Sequence, residues 1–192
     1  MRLPGRLLLI VALGLMLGAI VHLATVLALP RLASRNADTR LAALAGRHEV
    51  VVAPQSGDAG QLIPFRDPAT ALAICRFDLG AGPVRVKATP GDSFMAIAFH
   101  APTGGVFYAL TDRSAARGAM DALVVTQAQL EALQATDPED EPVRELRLVS
   151  PQRTGFVTFR TLALEPGQGA EAEALLRTAR CAPEKLASLA AR

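Results

Sequence analysis

The sequence is poor in the residues from which most binding platforms are built. It has no Trp, one Tyr and seven Phe. Sites that stack bases on aromatic rings draw on such side chains, so they are disfavoured, and a carbohydrate platform likewise. Net charge is also small, at +2, and Arg2 and Arg6 supply it. From residue 31 onward, 18 basic residues balance 18 acidic ones. A nucleic-acid surface carries a clustered basic excess, so no nucleic acid is expected as a partner. Catalytic patterns are as thin. There is no GxSxG, and the three histidines are His22, His48 and His100. His22 lies in an apolar run, and the other two show no HxH or HxxE spacing, so no metal site is expected. Strand-end histidines at a surface are the plainer reading. Ser93 follows Gly91-Asp92 as a turn residue entering a strand, and Cys75 sits in an apolar run where a thiol is inert or bridged. No catalytic residue and no cofactor is expected.

What the chain does have is one long apolar run. Leu7–Leu29 reads LLLIVALGLMLGAIVHLATVLAL, 23 residues without a formally charged side chain. As a helix it covers roughly 35 Å, against a hydrocarbon core of about 30 Å. A removed secretory signal has an apolar region of only about 7–15 residues and a small-x-small exit. Here the exit is Ala28-Leu29-Pro30-Arg31, so an uncleaved anchor is expected. Arg2 and Arg6 precede the run, while Arg31, Arg35 and Arg40 follow it, offset by Asp38. Local charge is nearly even, but a short tail ahead of a first segment usually stays inside. The N-terminus is therefore expected in the cytoplasm and the remainder outside the inner membrane. Gly14 and Gly18 form a GxxxG pair, and His22 and Thr25 continue the same face. Small residues let a second helix approach closely. A helix contact through Gly14, Gly18 and His22 is expected, with a coincidental glycine pair as the alternative.

Residues 1–30 are read as a tip and anchor, and residues 31–192 as one domain long enough for a sizeable core. Residues 31–46 have helical character, and His48–Ala53 is the first strand candidate. Residues 71–79, ALAICRFDL, read as a central strand. Val84–Lys87 alternates apolar with charged residues, so one face is wet. Strands follow at 93–100 and 106–111, joined by the turn Pro102–Gly105. These four are expected as an antiparallel meander. A short strand at 121–125 precedes Thr126, which caps a helix over 127–135 with Gln129 as the reciprocal partner. Asp137–Pro142 is an acidic loop without calcium-binding spacing. Strands at 143–149 and 154–162 and a helix at 170–180 complete the pattern. The expected fold is mainly β: a sandwich or roll with two or three peripheral helices, behind one membrane helix.

Cys75 and Cys181 can pair if the domain lies in an oxidising compartment, or they can be two buried thiols. Arg76, Asp112 and Arg113, with Asp78, are read as a polar cluster at one rim of the sheet. Such a rim would suit a small polar or anionic ligand; turn capping and ion pairing are the structural alternative.

The ordering of these features resembles a family of membrane-anchored bacterial proteins, mostly alpha-proteobacterial, defined only as a domain of unknown function. The likeness rests on Gly18–Ala33, ICRFDL around Cys75, Gly82–Val86, Phe107–Arg113, the capped helix from Thr126, and Cys181. It implies a periplasmic β-rich domain on one anchor, a disulfide between Cys75 and Cys181, and a related membrane-anchored protein as partner. It brings no reaction or cofactor. The expected function is an envelope assembly module acting with such a partner or with itself. A small-ligand module is the alternative, and an enzyme without a recognisable motif stands behind both.

Overall fold

The structure is a computed structural model, and it describes residues 5–32, 37–54, 63, 67–137, 145–165 and 167–189. The chain forms two compact units, Met1–Arg35 and Asn36–Arg192. Within the first, the described residues form the helix α1 (Gly5–Leu32). Its stretch Gly5–Leu29 has a mean hydropathy of 2.6 and no buried residue within its most apolar part, and it is long and apolar enough to cross a membrane.

The second unit is mainly β, as expected, with two sheets and a few helices. The strands are β1 (Val50–Val52), β2 (Thr70–Asp78), β3 (Val84–Ala88), β4 (Met95–His100), β5 (Val106–Thr111), β6 (Met120–Val125), β7 (Arg147–Val149), β8 (Thr154–Leu162) and β9 (Arg180–Pro183). The larger sheet has the order β1-β2-β8-β4-β5, and the smaller β7-β6-β3-β9. Among these named strands all pairings are antiparallel except β6 with β7. The helices are α2 (Ala37–Leu41), α3 (Gln127–Gln134), α4 (Gln168–Arg177) and α5 (Leu186–Leu189).

The four-strand meander is not what forms. Only β4 and β5 make a hairpin; β2 pairs with β1 and β8, and β3 lies in the other sheet. The reason is the connection. Leu79–Ala81 is a 3-10 turn, with the Asp78 carboxylate accepting from the Gly80 N–H at 2.9 Å. Gly82 then adopts φ 139°, and a Cβ there would strike the Glu184 carbonyl. That geometry carries the chain across to the second sheet, where a two-residue hairpin would have returned it to β2.

Both sheets turn one face to a common core. On β2 the inward residues are Ala71, Ala73, Cys75 and Phe77; β3 supplies Val84, Val86 and Ala88; β4 supplies Met95, Ile97 and Phe99. Strand β2 is buried on both faces. Its outward Leu72 and Ile74 pack with Leu41, Ala53 and Phe156 in a second cluster. This is why residues 71–79 show no alternation. Helix α3 begins as the capping-box pattern requires: Thr126 accepts from the Gln129 N–H, and the Gln129 side chain accepts from the Thr126 N–H. It buries Leu133 over Leu123 and Val125 on the outer face of the smaller sheet. The helix expected over 170–180 stops at Arg177, and Cys181 belongs to strand β9.

Candidate functional site

The two cysteines are joined. The bridge runs from β2 to β9, with 6.4 Å between the Cα atoms and 106 residues of sequence separation. It links the inward faces of the two sheets. In the chain-entropy view, closing a loop of that length stabilises by about 4.7 kcal/mol, often less in practice.

The residues read as one rim are not brought together. Arg76 is buried at 9% exposure, and its guanidinium grips Asp38 with two bonds, Nε–Oδ1 at 2.9 Å and Nη2–Oδ2 at 3.0 Å. It also donates to the Ala45 carbonyl. Asp112 and Arg113 form the 3-10 turn after β5. Strands β8 and β4 separate β2 from β5. Three strand spacings, roughly 14 Å, separate them across the sheet, and Asp112 lies six residues further along the chain than Val106, the β5 residue in register with Arg76. Arg113 is exposed, and Asp112 Oδ1 is buried without a hydrogen-bond partner among the described residues. Asp78 pairs instead with Arg153 at 3.0 Å and Arg47 at 3.8 Å. The Gly80 N–H, against partial burial and with help from the two arginines, holds its carboxyl below the usual range.

Asp38 was not legible as a partner. A charge inside the apolar run ALAICRFDL signals that some counter-charge must exist. Nothing in the spacing, 38 residues apart, says which one.

The largest polar constellation lies on the outer face of the smaller sheet. Arg85 donates to Glu184 (Nε–Oε1, 2.6 Å), to Asp121 (Nη1–Oδ1, 3.1 Å) and, through Nη2, to Glu145. Arg147 holds Asp137 with two bonds of 2.6 and 2.8 Å and shares Glu145 at 3.2 Å. Both arginines pair across from Leu123 in the ladders of β3, β6 and β7. Burial opposes the charge on Arg85, but its bonds to Glu184, Glu145 and Asp121 outweigh that and raise its pKa. The Asp137 carboxyl is held below the usual range by the bonds from Arg147. Of the acidic loop 137–142, only Asp137 lies within the described residues. Each guanidinium is committed to carboxylates, so the network ties strands together.

His48 and His100 have separate surroundings. His100 stacks on Phe156 with centroids 4.6 Å apart, and its ring nitrogens meet Gly104 O and Thr158 Oγ1 at 3.1 Å each. His48 follows Arg47 with φ 61°, and its Nδ1 is buried without a hydrogen-bond partner among the described residues. Among the described residues no group of three His, Cys, Asp or Glu converges as a metal site. Ser93 lines an open groove of about 520 Å³ beside α4, with Asp92, Thr161, Glu171 and Thr178. The Thr161 and Thr178 hydroxyls already donate to backbone carbonyls of Phe94 and Leu175. In α1, a Cβ added at Gly14 or Gly18 would meet nothing within 4 Å. The Thr25 hydroxyl donates to the Val21 carbonyl at 2.8 Å, so it is satisfied within its own helix.

No family model and no curated protein matches the chain. Solved structures do. The VPA0106 protein from Vibrio parahaemolyticus superposes with a TM-score of 0.53 at 11% identity, over 77% of this chain and 35% of that one. An uncharacterized protein from Burkholderia cenocepacia gives 0.45 at 16% identity, over 71% and 36%. The chain thus spans about a third of the length of these structures. The first likeness concerns the fold alone.

Proposed function

We propose that this chain is a membrane-anchored envelope protein, with its domain on the periplasmic side of a bacterial inner membrane, that works as an assembly module with a partner. The observation that carries the reading is the Cys75–Cys181 bridge. Such bonds persist in oxidising compartments and are rare where thiols are kept reduced. The apolar helix α1 at the other end of the chain supports the same location. An assembly role is supported by polar groups invested in tying strands together and by an anchor face that is open at Gly14 and Gly18. In this reading the two sheets form a β-sandwich. The chain is a member of the anchored family of unknown function that it resembles. Its partner is a related membrane-anchored protein or a second copy, met through Gly14, Gly18 and His22.

A reporter active only outside the cytoplasm, fused to the C-terminus, tests the location together with gel mobility before and after reduction. An active reporter and a reducible mobility shift are expected. A silent reporter with unshifted mobility overturns the reading. For the helix contact, Gly18→Leu is expected to lower association in a membrane two-hybrid assay. An unchanged signal leaves α1 as a tether only. The small-ligand alternative loses its rim, while the groove beside α4 has a volume in the range of ligand pockets, about 300–1,000 Å³.

A further inference from the structure

Four strands end a sheet, and three of them are guarded. Strand β1 is three residues long. Strand β7 is also three residues long, and its Arg147 is locked to Asp137 and Glu145. Strand β9 has four residues, begins on Arg180 and ends on Pro183. Shortness, charge and proline are the usual means by which proteins keep sheet edges from pairing with other chains.

Strand β5 has none of these three in its span, although a β-bulge at Phe107, a further device of this kind, lies near its start. It is six residues long, reads VFYALT, and carries no charge and no proline. Strand β4 pairs with one side of it, and among the described residues no strand pairs with the other. Its main irregularity is the register shift opposite Phe99 and His100, into which Phe107 falls. Val106 is 57% exposed. Tyr108 is 40% exposed although it faces the same way as Leu110, which is buried. The apolar inner face of the larger sheet therefore runs out into solvent at this edge. On the outer face the neighbouring side chains are small: Ala96, Ala98 and Ala109.

We infer that β5 is a docking edge for a second copy of this chain, the two β5 strands pairing antiparallel about a two-fold axis. This deepens the assembly reading by giving the assembly a surface in the domain. The occupant follows from self-compatibility. A two-fold contact sets each group of the patch against the same patch, so any charge would meet its like. Residues 106–111 carry none. A two-fold axis through a sheet also preserves its faces, so the pairing must centre on one residue opposite itself. Centring on Ala109 puts the smallest side chain at the axis on the outer face. It also sets each Tyr108 against Leu110 of the other copy on the inner face, an aromatic–aliphatic pair of the kind that stabilises antiparallel ladders. The ladder hydrogen bonds themselves supply the attraction, as in other strand additions.

The test uses the full chain in detergent micelles. Light scattering over a wide concentration range is expected to show a dimer. The double variant Val106→Lys/Tyr108→Lys, at two exposed positions, is expected to be monomeric and still to unfold in one cooperative thermal transition, with a midpoint that no longer depends on concentration. Gly18→Leu, which removes only the helix contribution, is expected to loosen the dimer and leave it detectable at high concentration. Ala109→Cys is expected to form a reducible homodimer on oxidation. Directly opposed residues in an antiparallel pair sit about 4.5–5.5 Å apart, within disulfide reach. The native cysteines are already bridged to each other, so the new thiol is the free one. Should the double lysine variant fail to fold, the Ala109→Cys cross-link decides. A chain that is monomeric throughout overturns the proposal, as does a dimer that survives the lysines or yields no cross-link. Dissociation by Gly18→Leu alone also overturns it, because it places the self-contact in α1. A silent location reporter would sink the envelope reading and leave these outcomes unaffected.

Discussion

The interior strand β2 and the edge strand β5 of the larger sheet are built in opposite ways. Around β2 every layer is closed: Cys75 is bridged to the other sheet, Arg76 is locked to Asp38, and α4 packs on β1, β2 and β8. At β5 the layers stop. The change can be followed along single rows of the ladder. On the inner face the row Cys75, Val157, Phe99, Tyr108 is fully buried for three residues and then 40% exposed at the fourth. On the outer face the row Arg76, Phe156, His100, Val106 goes from 9% and 5% through a half-buried imidazole to 57%. Strand β2 spends its polar and covalent bonds on holding the fold. Strand β5 leaves backbone and apolar surface that no described residue pairs with or covers, which is what an interaction surface requires and a structural edge avoids.

That contrast can be broken most severely at Arg76. Arg76→Ala leaves the Asp38 carboxylate buried without its partner, and a loss of about 3–5 kcal/mol is expected. The urea midpoint measures it. Replacing both groups, as Asp38→Leu/Arg76→Met, is expected to recover most of that loss, because two apolar groups leave no stranded charge. Opening the bridge with Cys75→Ala/Cys181→Ala is expected to cost about 2–5 kcal/mol, read the same way in non-reducing buffer. Gly155, opposite Phe77 in β8, has no room for a side chain: a Cβ would collide with the His100 carbonyl and the Phe77 ring. Gly155→Ala should therefore lose about 1–3 kcal/mol, the usual range for overpacking a closed site.

His100 stands where the rows begin to open, and it sharpens the comparison through pH. Burial is the main cause that lowers its pKa below the ordinary value of 6.5, with the Gly104 carbonyl acting the other way; His48 shifts in the same direction, also by burial. The unfolded chain takes up these protons first as pH falls. Their contribution to stability is thus fully present above about pH 6.5 and is lost as pH drops through the folded-state values. A urea midpoint that falls from neutral pH toward pH 5, less steeply in His100→Gln, is the expected result. Smallest of all, compared at a dilution where both chains are monomeric, should be the effect of Val106→Lys/Tyr108→Lys on stability, within about 0.5 kcal/mol as for other exposed sites. A large loss there would mean that β5 is as closed as β2.

Much of the secondary structure was legible. The period-2 alternation of Val84–Lys87 put Arg85 on a polar face, and Arg85 does lie there with its carboxylates. The Thr126 capping box reads directly from the residues, since its bonds span three positions. The pair of cysteines allowed only one bridge. Pairing between distant strands was not legible. β2 takes β8 as a neighbour some 80 residues later, and no local signal competes with the nearby β3 until the turn geometry at Gly82 is known. The rim of Arg76, Asp112 and Arg113 failed for the same reason: it assumed that strands adjacent in sequence are adjacent in the sheet. What could be read was the anomaly of a charge in a buried run. Its partner, Asp38, could not.

By itself, then, the sequence determined the features that depend on a few neighbouring residues: an apolar helix long enough for a bilayer, strands with a wet or a dry face, a capped helix, and a domain neutral in charge. Hydrophobic length, alternation and capping act over one or two turns of chain, so they survive without knowledge of the fold. Only the tertiary structure decided which strands meet, that the bridge staples one sheet to the other, that Arg76 belongs to Asp38, and that β5 is left open. Those facts follow from long-range pairing, where loop-closure entropy and core packing choose among arrangements that local sequence leaves equal.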